Sequence, residues 1–176
     1  MKKKTGIGIG ILAAAALGVA TAAWAQVPND AQIAAIVVAA NQVDMDAGKL
    51  AATKATNPDV KAFGQMMVTD HAGVNKQATD LVTKLGVKPE DNPTAQSLTS
   101  GGAANVKNLQ SLSGAAFDKA YIDQEITYHQ AVLDAMDKTL IPNAQNAELK
   151  ALLVKVRPAF VAHRDKAKQI QASLGK

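Results

Sequence analysis

Between Val60 and Leu85 an apolar or small side chain recurs at alternating steps of three and four, through Val60, Gly64, Met67, Val74, Ala78, Leu81 and Leu85. That period is one face of an α-helix about seven turns long. The same signal runs from about Asp30 to Ala55, with Ile33, Ile36, Val37, Ala40, Val43, Ala47 and Leu50 inward. It runs again from Ser113-Gly114 to about Ile141, and from Ala147 to Leu174. Four amphipathic helices of this length, each about 40 Å, are unstable alone and suited to burying their stripes against one another. Aromatic residues are scarce (3%) and cysteine is absent, so neither disulfides nor thiolate metal sites are available and stability must come from packing.

Local punctuation predicts where the helices start and stop. Asn29 or Asp30 caps the first, and Asn57-Pro58 opens the second with a cap followed by proline. Gly86 ends the second helix, and the stretch VKPEDNPTAQSLTSGG predicts a loop carrying one short helix, about Ala103 to Leu112. Pro142-Asn143 closes the third long helix. The first and last connections are tight, whereas the middle one is long enough to cross a whole bundle. The expected fold is therefore all-α, a ferritin-like four-helix bundle with a long crossover connection, containing a short helix, between helices 2 and 3. An up-down-up-down bundle whose long loop decorates one end is the alternative. Pro158, inside the fourth stripe, predicts a kink in a continuous helix, against a break at Arg157.

The opening MKKKTGIGIGILAAAALGVATAAWAQ has the basic, apolar, small-x-small order of a secretory signal, with cleavage expected after Ala25. An uncleaved anchor is the alternative, disfavoured by a glycine-diluted apolar run at the lower limit for a span. Residues 1–25 are thus expected to leave and residues 26–176 to form one domain in the periplasm, with no stable membrane insertion. Loss of Lys2, Lys3 and Lys4 lowers the formal charge from +4 to +1, which removes the main support for nucleic-acid binding.

Each histidine in the chain interrupts one of the apolar stripes: His71 in the second helix, His129 in the third and His163 in the fourth. His71 lies about fourteen residues past the first turn, His129 about fifteen before the last and His163 about nineteen past it, so all three fall near mid-bundle. Counting about the last turn sets His163 opposite Glu125, and Asp44 matches His71 in height on the first helix. A layer of Asp44, His71, Glu125, His129 and His163 is what a metal site in a bundle core requires, since facing helices must bring deprotonatable ligands to one point. Met67, four residues before His71, would add a thioether and favour copper; imidazole with carboxylate suits zinc or iron. The competing reading is a hydrogen-bonded polar layer that fixes helix register. Tyr121 and Tyr128 flank Glu125 as hydrogen-bond or radical partners, or as ordinary bundle aromatics. Gly48 and Gly64 lie at similar heights and permit a close approach. Met66 and Met67 are expected as core filler, and Asp70 on a solvated face.

The stretches AAIVVAANQVDMDAGKLAATKATNPDVKAFGQMMVTDHAGVN, GAAFDKAYIDQEITYHQAVLD and AFVAHRDKAKQI resemble an exported bacterial ferritin-like family of unknown function, the DUF4142 domain family. Its most specific pieces fall on Asp70 with His71, on Phe117 to Ile122 with His129, and on His163. The resemblance implies the bundle, its long middle connection and an envelope address, and no established chemistry. True ferritins use a carboxylate-rich di-iron set with two Glu-x-x-His motifs. Here the glutamates are Glu90, Glu125 and Glu148, and His129 follows Glu125 at i+4, so iron storage is not expected.

The function expected from sequence is a non-catalytic structural or interaction module of the periplasm, linked to envelope stress, with an unidentified protein partner. Binding of a transition metal (zinc, copper or iron) by the histidine and carboxylate layer is the alternative. Activation of oxygen or peroxide ranks third, because the carboxylate set is sparse.

Overall fold

The computed structural model describes residues 27–174, and within them the fold is all-α. The expected signal segment lies outside the described residues. Helix α1 spans Asp30–Lys54 and begins with a capping box, the Asn29 side chain accepting from the Gln32 amide while Gln32 accepts from the Asn29 amide. Helix α2 spans Pro58–Lys84, with the Asn57 side chain accepting from the amides of Asp59 and Val60. Helix α3 is Pro93–Ser111, α4 is Gly114–Ala135, a π-helical turn π1 covers Met136–Leu140, α5 is Ile141–Asn143 and α6 is Ala147–Leu174. No described helix is long and apolar enough to cross a membrane.

Two expectations need correction. The segment read as loop with a short helix from Ala103 is helical from Pro93 onward, a 19-residue element. Asn92 caps it through the Ala95 amide, and Pro93 takes the first turn, where a missing N–H costs nothing. The Gly101-Gly102 pair that signalled a loop has a packing reason instead: a Cβ at Gly102 would lie 2.6 Å from a Val43 methyl, so α3 docks on α1 only because that position is bare. The third long helix does not run evenly to Ile141 either. At π1 the Ile141 amide donates to the Met136 carbonyl, one residue further back than in an α-helix, just before Pro142, which has no amide to donate. Helix α6, by contrast, continues through Pro158, and no break occurs at Arg157.

Contacts between elements fix their directions. Asn41 meets His71, and a Cβ at Gly48 would lie 2.8 Å from the Gly64 carbonyl oxygen, so α1 and α2 are antiparallel and their glycines are required by backbone contact. Helices α4 and α6 are antiparallel through Arg157 with Asp137 and Gln171 with Asp123. Helix α6 also runs antiparallel to α2, through His163 with Asp70 and Lys155 with Gln77. Helix α1 runs antiparallel to α4: the Tyr128 hydroxyl donates to the Ala40 carbonyl, and Asp118 accepts from the amides of Thr56 and Asn57.

The core is divided in two. One apolar cluster takes Ile33 and Val37 from α1, Val74 and Ala78 from α2, Leu133 from α4, and Leu153 and Phe160 from α6. The other takes Ala47 and Ala51, then Phe63 and Met67, then Phe117 and Tyr121, then Ala167 and Ile170 from the same four helices. Between the two clusters each of these helices places buried polar residues: Asn41 and Asp44, His71, Glu125 and His129, and His163.

Candidate metal centre

The five candidate residues stand in one buried layer, none more than 5% exposed. Each histidine reaches it from the stripe of its own helix, and the three ring centroids form a triangle with sides of 5.6 Å (His71 to His129), 5.5 Å (His129 to His163) and 5.2 Å (His71 to His163). One ligating nitrogen from each ring lies within 4.8 Å of the others, and Asp44, Glu125 and His129 form a second group of the same closeness. The chain thus contains a buried histidine and carboxylate cluster able to coordinate a metal ion. His163 packs beside His129 across the α4 and α6 pair, with ring centroids 5.5 Å apart.

Each ring has one nitrogen held and one left over. Nδ1 of His71 lies 2.7 Å from Oδ1 of Asn41, whose Nδ2 donates to the Val37 carbonyl and so fixes the amide with its oxygen toward the ring. Nδ1 of His129 donates to the Glu125 carbonyl at 3.0 Å and lies 3.3 Å from Glu125 Oε2. Nε2 of His163 donates to Asp70 Oδ2 at 2.9 Å. All three partners accept only, so each held nitrogen carries a hydrogen and, in the neutral ring, the other presents a lone pair. Those others, His71 Nε2, His129 Nε2 and His163 Nδ1, are buried and have no hydrogen-bond partner among the described residues, while Asp44 Oδ2 and Glu125 Oε2 make only longer contacts, 3.5 Å to His71 Nδ1 and 3.3 Å to His129 Nδ1. A hydrogen-bonded polar layer accounts for the held nitrogen of each ring, through Asn41, Glu125 and Asp70, but gives the other nitrogen no partner side chain.

The layer's electrostatics are uneven. Burial, aided by repulsion from His129 and His163, drives His71 down to about 2, so it is neutral near pH 7. His163 is lowered as well, by burial first, with Asp70 opposing. Burial also works against charging His129, but the hydrogen bond to Glu125 and the field of Asp44 and Glu125 outweigh it and push it up to about 9. Asp44 is raised well above the usual carboxylate range by burial and by Glu125 beside it.

Two participants escape a reading of the stripes. Asn41 is uncharged and sits one turn before Asp44, so nothing in its type marks it. Asp70, expected on a solvated face, has a side chain 45% exposed, yet it reaches across to hold His163 on α6. Tyr128 lies edge-on to His129, with ring centroids 6.4 Å apart. Tyr121 is wholly buried, stacked on Phe117, its hydroxyl without a hydrogen-bond partner and its phenol raised by burial and by Glu125 and Asp44. Met67 packs in the second apolar cluster, the side chain against Gly48.

The profile of a family described as a domain of unknown function (DUF4142) matches residues 15–170, most of the chain. The chain belongs to the DUF4142 family. Comparison with curated proteins and with solved structures finds no match. Membership of the DUF4142 family carries no chemistry, so the function must be argued from the layer itself.

Proposed function

We propose that this chain is an exported, ferritin-like helical bundle that binds one transition-metal ion in its mid-core layer. The metal would be held by His71 Nε2, His129 Nε2 and His163 Nδ1, leaving a further position for water or a carboxylate oxygen. Asn41, Glu125 with Asp44, and Asp70 would orient the rings from outside, as acceptors of the opposite N–H commonly do at metal-bound histidines. One observation carries this reading: three imidazoles are oriented at their outer nitrogens and orphaned at their inner ones. Three orphaned ring nitrogens at about 1–3 kcal/mol each are a large fraction of the stability of a domain, about 5–15 kcal/mol. A cation would satisfy them at once. Three imidazoles with nearby carboxylates suit zinc, copper or iron.

The ferritin-like topology is supported by the four antiparallel neighbours α1 with α2, α2 with α6, α6 with α4, and α4 with α1, which leave α2 parallel to α4 and make α3 the connection between their ends. Export and a periplasmic address rest on the order of residues 1–25. The role proposed is binding rather than catalysis.

Elemental analysis of the purified protein tests the metal. About one equivalent of zinc, copper or iron per chain, lost in His129→Ala, is the expected result. A folded protein that takes up none after reconstitution would return the layer to a structural role.

A further inference from the structure

Beside the histidine layer, on the side of the first apolar cluster, lies a pocket of about 120 Å³, open at one side and lined by α1, α2, α3, α4, π1 and α6. Its lining is apolar apart from Asn41, Thr94 and Tyr128. Two of these are already engaged elsewhere. The Asn41 amide donates to Val37 and its oxygen serves His71, while the Tyr128 hydroxyl donates to the Ala40 carbonyl. A water needs two to four polar partners, and an apolar void of about 150 Å³ stays dry and takes up benzene or xenon. Thr94 and Ala131, both exposed, mark its outer rim, and Phe160 forms its inner wall. The irregular turn π1 contributes Met136 and Leu140 to the wall, and such turns concentrate at functional sites.

We propose that this cavity is a binding site for a small, uncharged, apolar molecule no larger than about a benzene ring. Its volume sets the size, and its mostly apolar lining sets the polarity. The Phe160 ring lies edge-on to His71 at 5.1 Å and tilted to His129 at 5.9 Å, so the guest sits one aromatic ring from the imidazoles. The site does not depend on metal in the layer, because its walls are fixed by helix packing.

Benzene titrated into chelator-treated protein and followed by methyl NMR tests this, and its outcome is separate from that of any metal assay. Expected are saturable shifts confined to methyls that line the pocket, Leu98, Val132 and Leu153 among them, weakened at least about tenfold in Ala131→Phe or Ala135→Phe, which fill the space from the rim. Shifts that do not saturate, that spread to exposed methyls such as Val154, or that persist in both folded variants would overturn it. Xenon-pressurised crystals of the unaltered protein give a second readout: a xenon peak between Leu98 and Phe160 supports the site, and its absence there refutes it.

Discussion

At the scale of the residue, the layer turns on which nitrogen of each ring is engaged. Removing an outer partner leaves the ligands in place but frees a ring to rotate. Asn41→Leu and Asp70→Ala should each weaken metal binding by about 10–100-fold, measured by competition with a chromogenic chelator, while leaving the stoichiometry unchanged. The acid–base behaviour has a definite sign. His129, raised from 6.5 to about 9, contributes stability that is complete below pH 6.5 and lost as pH rises through 9. Asp44, also raised, works in the same direction. The thermal midpoint of the metal-free protein should therefore fall between pH 6.5 and 9, and His129→Gln should remove most of that fall. Metal must displace the inner proton of His129, so affinity should rise over the same interval, with proton release measurable by calorimetry in buffers of different ionisation enthalpy.

At the scale of the element, glycines separate what packing requires from what it tolerates. Gly64 lies under α1, where a Cβ would come within 2.8 Å of both the Gly48 carbonyl oxygen and the Ala51 side chain. Gly64→Ala should cost about 1–3 kcal/mol in chemical denaturation. Gly101→Ala, one residue before the docked Gly102 and facing open space, should instead stabilise α3 by about 0.5–1 kcal/mol. This contrast also explains what the sequence concealed. The long helices were legible because their stripes repeat over seven turns and end at Asn-Pro or Gly signals. Helix α3 was half hidden because Gly101-Gly102 carries a loop signal locally, and only the contact with Val43 reveals its use. The three histidines stood out as lapses in apolar stripes, and Asp44 and Glu125 could be found by height. Asn41 and Asp70 could not, since one is uncharged and the other is half exposed, and each acts through a partner on another helix.

At the scale of the whole molecule, the layer divides the core into two apolar halves, so whatever satisfies it ties all four long helices together. A ligand bound only by the folded state stabilises it by about 2.7 kcal/mol at a hundredfold excess over Kd. The metal-loaded protein should accordingly melt higher than the chelated protein, and His71→Ala should erase the difference. Export makes a separate prediction: the protein recovered from the periplasm should begin at Gln26 by N-terminal sequencing, and retention of Met1 would refute cleavage. The central claim is tested most directly by anomalous diffraction from metal-soaked crystals. The account predicts one anomalous peak about 2.0–2.2 Å from His71 Nε2, His129 Nε2 and His163 Nδ1. A water molecule at that point, or a metal bound only elsewhere, would contradict it.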